Sequence, residues 1–427
     1  MNIYKNPPKS EWDQLLKRPV EDLTVLEDLV KNIFREVKIN GDKAVREFTR
    51  KFDGNTLDSL KVSPKEFHQS ADMVTDELKN AIATAASNIR QFHEAQVGSS
   101  THIEPMKGVE CWQEFRAIEK VGLYVPGGTA PLFSTLLMLA IPAQISGCRE
   151  IQVCTPAGKD GKIHPAILYC CHYLGLKDVF KVGGIQAIAA FTYGTETISR
   201  AYKLFGPGNQ YVTAAKMWAT MEGVPIDMPA GPSEVLVCSD ASGNAEWIAS
   251  DLLSQAEHGP DSQVIFITTS EPLIEETRIA MGIQMARLPR KSIISEALQH
   301  ARAIYFEEEE MVFDFINQYA PEHLILNIHK PEEKLHKIQN AGSVFIGPYS
   351  PESAGDYASG TNHTLPTYGQ ARVFGGLSVR DFMKNISFQK ITLTGLENLA
   401  PAIIPMAAAE QLEGHKNAVT IRLKSVT

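Results

Sequence analysis

Apolar residues recur every three or four positions across "TVLEDLVKNIFREVKINGDKAVREFTRKFDG", residues 24–54, the period of a helix that buries one face. Turn signals at Asn40-Gly41 and Asp53-Gly54 punctuate it. "DELKNAIATAASNIRQFHEAQ", residues 76–96, predicts a second long helix, rich in alanine and other helix formers. From about residue 118 the period changes. Short β-rich runs lead through glycine turns into helical patterns: "EKVGLYVPGG" precedes an apolar helix, "REIQVCTPAG" precedes "HPAILYCCHYLG", and "DVFKVGG" precedes "IQAIAAFTYG". A second series runs through "SEVLVCSD", "SQVIFITTS", "RAIYFEE", "HLILNI" and "AGSVFIG", with helices expected between and after the first four. Strand, turn and helix repeated in this order predict parallel sheets with crossover helices. The expected class is α/β with two parallel-sheet lobes, and the connector "PIDMPAGPSE" puts a boundary near residue 232. From "SVRDFMKNIS" onward a small unit of short strand and helix is appended.

Length and composition narrow this picture. A chain of 427 residues exceeds one ordinary core and suggests about three domains or a multi-lobed chain. With 44% hydrophobic and 21% charged residues it reads as a soluble globular protein. Its net charge of -9 argues against a nucleic-acid partner, which needs a basic face. "PLFSTLLMLAIPAQI" is the most apolar stretch, but Pro142 interrupts it and it falls short of the ~20 residues of a membrane span, so a buried helix is expected. No basic start followed by an apolar core marks a secretory signal, and a cytoplasmic location is expected. The cysteines at 111, 148, 154, 170, 171 and 238 form no C-x-x-C pair and no metal knuckle, which suits reduced thiols in a core.

Several stretches could carry chemistry. "LLSQAEHGPDSQ" sets Gln255 and His258 three apart, one helix face, before a Gly259-Pro260 stop signal. Such a pair is ordinarily a solvated face. The turns "VPGGTAP", "VGGIQAIAA" and "FGPGNQYV" offer free backbone N–H groups beyond strand ends, although none is a complete G-x-G-x-x-G. "APEHLIL" places Glu322 and His323 before a strand, where a buried acid and an imidazole of ordinary pKa ~6.5 can act as separate proton carriers. The plain alternative is a surface acid beside a hydrogen-bonded core histidine. "SAGDYASGTNHTLPTYGQA" is a long polar stretch bearing Asp356 and His363, and loops of that length in a compact fold are functional or disordered. "GPSE" offers Ser233, and "EQLEGHKNAV" offers Glu410 and His415. Gln255, His258, Asp356 and His415 would give a zinc ion two oxygen and two nitrogen ligands without a thiolate, but spacing alone does not bring them together.

"LLSQAEHGPDSQV", "APEHL", "GDYASGTNHTLPTYG", "AGPSEV", "GPGNQYV" and "HKNAVTIR" together resemble the histidinol dehydrogenase family, in its order, from about residue 20 to the end. That resemblance implies oxidation of L-histidinol to L-histidine through histidinal with two NAD, the final steps of histidine biosynthesis. It implies one zinc per subunit on Gln255, His258, Asp356 and His415, and an acid/base pair of Glu322 and His323. Substrate contacts would come from Ser233, Gln255, His258, His323, Asp356, His363, Glu410 and His415, and NAD contacts from Tyr124, Gln186 and Asn209. It implies a homodimer with shared sites, in which the tail residues Glu410 and His415 enter the partner's pocket, and neither nucleic acid nor membrane as partner. The corresponding division is a helical arm at 1–25 and a zinc and substrate lobe from 26–123 plus 233–377. An NAD lobe follows at 124–232, and a C-terminal dimerisation unit at 378–427. Both lobes are expected to be Rossmann-like.

Three other readings stay open on the residues themselves: a related dehydrogenase of another small polar alcohol, a zinc hydrolase in which Glu322 activates water, and a non-catalytic nucleotide-binding module. The glycine turns count against the hydrolase, and the Glu-His pair beside four metal-capable residues counts against the binding module.

Overall fold

Strands and helices alternate as the pattern predicts and assemble into two parallel sheets and one antiparallel sheet. The computed structural model describes residues 1–18, 23–98, 100–127, 131–229 and 231–424. The larger sheet is parallel throughout and has six strands in the order Asn2–Lys5, Arg302–Tyr305, Gln263–Thr268, Glu234–Ser239, His323–Asn327, Ser343–Ile346. The smaller parallel sheet runs Asp178–Phe180, Glu150–Cys154, Lys120–Tyr124, Lys203–Phe205. Strands buried on both faces read as continuous apolar runs, which is why "EVLVCS" and "QVIFIT" are buried at every position.

The helices of residues 27–94 cover the smaller sheet, not the larger one. Val30, Ile33, Phe34 and Val37 share a core with Tyr124, Phe180 and Ile188. Ile82, Ala86 and Ile89 share another with Val121, Leu123 and Val153. The expected division groups residues 26–123 with 233–377, while these helices pack on the smaller sheet: an amphipathic helix shows which of its faces is buried, but not against which sheet. The strand Lys120–Tyr124 likewise belongs wholly to the 124–232 lobe that the expected boundary cut. The N-terminal arm contains the expected helical turns at Lys9–Glu11 and Trp12–Leu15, but it opens with a strand that extends the larger sheet at its edge. Only a short 3₁₀ stretch, Pro331–Lys337, follows "HLILN" where a helix is expected.

Two glycine positions behave as the pattern suggests. The helical period from residue 27 to 53 is broken at Gly41, whose φ of 50° lies outside the helical region, and Gly54 ends the helix with φ 71°. The apolar helix Phe133–Ser146 is buried and continues through Pro142. Proline removes the N–H that would bond the carbonyl four residues back. That carbonyl, on Met138, instead accepts from the Asn362 side-chain amide at 2.6 Å, so the polar loop is tied to the helix at its weak point.

The C-terminal unit begins with Met383–Ile391, which pairs antiparallel with Val109–Ala117 beside His102–Met106. Helices Leu393–Ala409 and Glu413–Lys424 then pack on each other. Ile386, Leu393, Met406, Leu412 and Ile421 in this unit are exposed. No described helix is long and apolar enough to cross a membrane.

Candidate active site

Glu322 and His323 open the strand His323–Asn327, and Ser233 precedes the neighbouring strand Glu234–Ser239. These are the amino ends of the strands. The general preference of parallel sheets for ligands at carboxyl ends thus fails in the larger sheet. In the smaller sheet it holds: strand order reverses between Lys120–Tyr124 and Lys203–Phe205, and a cavity of about 1090 Å³ opens where their neighbours end.

The Glu234 backbone contacts both Glu322 and His323. Its N–H donates to the Glu322 carboxylate at 2.7 Å, and its carbonyl lies 3.0 Å from His323 Nδ1. A carbonyl only accepts, so Nδ1 carries a proton, and Nε2 is the nitrogen that gains or loses the second one. That Nε2 is buried without a hydrogen-bond partner and lies 3.6 Å from Asp356 Oδ1. The Glu234 side chain is held in turn by a bidentate pair with Arg18, 2.5 and 2.8 Å, and by the Tyr368 N–H at 2.8 Å. The N-terminal arm and the polar loop thereby meet behind the acid and base. Gly231, in "AGPSEV", permits this: a Cβ there would lie 1.5 Å from the Tyr368 ring.

Burial pushes Glu322 up to about 8, against the lowering influence of His323 and the Glu234 N–H. Burial alone would lower His323, but Glu322, Glu352 and Asp356 around it raise it well above the ordinary histidine range. For His363 burial prevails and lowers it. Its Nδ1 bonds the Asp356 carbonyl at 3.1 Å, and its Nε2 lies 3.0 Å from Thr135 Oγ1 on the helix that follows Tyr124. That contact joins the two lobes' chemistry.

The structure brings His258 and Asp356 together, but with Glu352: their ligand atoms all lie within 4.8 Å of one another. Glu352 was not expected. It is one helical turn before Asp356 in Glu352–Tyr357, and that i, i+4 spacing is the signal that points to it. Glu352 is 1% exposed, and both of its oxygens lack hydrogen-bond partners, Oε1 lying 3.8 Å from His323 Nδ1. Burial, together with Asp356, Glu322 and Asp251, raises it well above the carboxylate range. Gln255 is fully buried, and neither its oxygen nor its nitrogen finds a partner. Buried polar groups are paired in nearly all native structures. An orphaned amide beside this excess of carboxylates and imidazoles fits a divalent cation with mixed nitrogen and oxygen ligands.

One expectation changes. The helix carrying Gln255 ends at Ala256, two residues before His258, which sits exposed in the following turn. The Gly259-Pro260 signal thus marks the end of a turn rather than of the helix. Glu410 and His415 are exposed on the C-terminal hairpin and are not part of the His258 cluster within one chain.

Tyr124, Gln186 and Asn209 all line the large cavity. Tyr124 ends a strand, and its hydroxyl accepts from the Gly184 N–H at 3.1 Å. Gln186 lies in the first turn of Gly184–Tyr193, and Asn209 caps Gln210–Met221 by accepting from the Val212 N–H at 3.2 Å. Gly206 lets the intervening turn approach, since a Cβ there would lie 2.1 Å from the Tyr124 carbonyl oxygen. Behind it the buried Lys216 donates to Asp227 at 2.6 Å and to the Gly206 carbonyl at 2.7 Å. The buried cysteines Cys154, Cys171 and Cys238 have thiols that burial pushes upward, as core residues rather than nucleophiles.

A profile of the histidinol dehydrogenase family matches residues 16–423. The histidinol dehydrogenase of Bacteroides thetaiotaomicron is 51% identical over 426 residues, covering 100% of both chains. That of Mannheimia succiniciproducens is 47% identical over 99% of each. The crystal structure of histidinol dehydrogenase from Elizabethkingia anophelis superposes with a TM-score of 0.98 at 54% identity, covering 100% of this chain and 98% of that one. Matching in sequence across its length and in fold across all its elements, the chain belongs to the histidinol dehydrogenase family.

Proposed function

We propose that the protein oxidises L-histidinol to L-histidine in two NAD-dependent steps with histidinal between them, completing histidine biosynthesis. The observation that carries this is the fully buried, unpartnered Gln255 amide, with the His258, Glu352 and Asp356 cluster and the unpartnered Nε2 of His323. Gln255, His258 and Asp356 would hold a zinc ion, with His415 supplied by a second copy of the chain. Bound there, zinc would supply charge that orients and polarises a substrate bearing an amine and an imidazole. Ser233, His363 and Glu410 complete the substrate contacts in this reading, and Tyr124, Gln186 and Asn209 hold NAD.

His323 Nε2 accepts the hydroxyl proton of histidinol while hydride leaves the same carbon for NAD, giving histidinal. Glu322 then takes a proton from water as its oxygen adds to the aldehyde carbon. A carboxylate raised to about 8 is a stronger base than an ordinary one. His323, protonated in the first step, returns its proton to the former aldehyde oxygen to complete the hydrate. The hydrate then loses hydride to a second NAD while one hydroxyl proton passes to His323 and the other leaves to solvent, giving the carboxylate. Burial of the pair excludes bulk water and keeps the aldehyde from side reactions.

The test is absorbance at the reduced nicotinamide band. Two NADH should form per histidinol consumed. Substrate turnover without NAD reduction would instead identify a hydrolase, and no turnover would leave a binding module. Chelation should abolish turnover and leave the circular dichroism spectrum in place, because His258, Glu352 and Asp356 are not among the residues that form the apolar cores. Unfolding together with inactivation would show the ion to be structural.

A further inference from the structure

The cavity holding Tyr124, Gln186 and Asn209 contains an acid that neither the sequence patterns nor the family resemblance assigns. Asp53 is the last residue of the helix Glu27–Asp53, half-buried on the cavity wall just before the left-handed Gly54. Its Oδ2 lies 3.4 Å from Gln186 Nε2. Gln186 is 1% exposed, and its own oxygen is buried without a partner. Asp53 forms no ion pair among the described residues, although Lys159 and Lys162 stand on the exposed rim of the same cavity. Burial with no countercharge leaves its carboxyl raised, to about 6. A carboxylate in such a place needs hydrogen-bond donors, and among the described residues it has only the long contact from Gln186.

The reading of this cavity as an NAD site, on which the inference rests, says what the donors are. None of Ser233, Gln255, His258, Glu322, His323, Asp356 or His363 lines the cavity. The reactive nicotinamide must reach His323, so the cavity takes the half of the cofactor remote from the chemistry, the adenosine half. That half carries two vicinal donors, the 2′- and 3′-hydroxyls of its ribose. A carboxylate accepts from both hydroxyls of such a diol, and it repels a phosphate placed at the 2′ position.

We propose that Asp53 binds the adenosine ribose diol, with Gln186 orienting it, and that it sets the preference for NAD over NADP. The test is titration of the holoenzyme with NAD, NADP and NAD lacking the adenosine 2′-hydroxyl, followed by fluorescence or calorimetry, for the wild type and Asp53→Asn. Wild type should bind NAD roughly 10- to 100-fold more tightly than the 2′-deoxy analogue, the loss expected for a charge-assisted hydrogen bond. In Asp53→Asn that difference should shrink to about twofold, and the preference for NAD over NADP should fall by about tenfold or more. Asp53→Ser should give the same pattern and replaces the asparagine variant if that one does not fold. An unchanged deoxy ratio and an unchanged NADP preference in a folded variant would overturn the role of Asp53 and leave the NAD site standing. Failure of the wild type to bind NAD at all would overturn the NAD site itself.

Discussion

At the scale of single residues, Glu322 and His323 differ in what each can do. His323 keeps a proton on Nδ1 against a carbonyl, so its Nε2 is the nitrogen that exchanges one. Glu322 retains its shape as glutamine but loses the capacity to take a proton. Glu322→Gln should therefore slow histidinal oxidation by about 10²–10⁴ while slowing histidinol oxidation far less. Single-turnover measurements begun from each substrate check this, and equal losses would remove the division of labour. Asp53 gives a prediction about stability. Its folded pKa, about 6, exceeds the roughly 3.9 of an unfolded aspartate. Between those values the folded state holds a proton that the unfolded state has released, so wild-type stability falls as pH rises through this window. Asp53→Asn lacks the effect. Without nucleotide, the difference in melting temperature, variant minus wild type, should rise from pH 4 to 6 and level off above. A flat difference would mean that Asp53 is solvated as an ordinary surface acid.

At the scale of elements, the helix Phe133–Ser146 and the polar loop depend on each other. Pro142 frees the Met138 carbonyl, Asn362 satisfies it, and the next residue, His363, contacts Thr135 on the same helix. Asn362→Leu leaves a buried carbonyl unpaired, at a cost of about 1–3 kcal/mol. It also releases His363, so KM for histidinol should rise. Pro142→Ala in that background restores an intrahelical N–H donor to Met138. The double variant should recover stability in denaturant titration but not KM. Recovery of both would show that the loop is held by other contacts. Gln255 and His258 teach a related lesson. Their spacing was legible, yet the helix ends at Ala256. The Gly-Pro signal marks where a helix cannot continue, and the turn before it is decided by packing.

At the scale of the whole molecule, Glu410 and His415 stand exposed on a hairpin whose neighbouring apolar side chains are also exposed. A second copy of the chain covering that surface and receiving His415 gives a sharp expectation. His258→Ala and His415→Ala homodimers should each be nearly inactive, since every site loses one ligand. Co-refolding equal amounts makes half the dimers mixed, and each mixed dimer has one intact site of two. Activity should return to roughly one quarter of wild type for a two-fold dimer with independent sites. If co-refolded variants remain as inactive as their parents while wild type refolds under the same conditions, His415 acts within its own chain.

The sequence by itself determined the local elements and the family. Continuous apolar runs report strands buried on both faces and period-3.6 patterns report the buried faces of helices, glycines mark close approaches such as Gly206 and Gly231, and six short motifs in order carry the candidate site residues. Tertiary structure alone decided which elements share a core and which polar groups face one another. The helices of 27–94 went to the smaller sheet because burial is non-directional, and an apolar stripe fits either sheet equally well by pattern. Glu352 and Arg18 carry no signal as letters and Asp53 reads only as part of a turn, since an isolated acid or base in a sequence is usually solvated. Their meaning comes from burial beside particular partners: Glu352 against Asp356 and His258, Arg18 against Glu234, Asp53 against Gln186. A charge removed from water must be answered by another group, and only the folded chain shows which one answers.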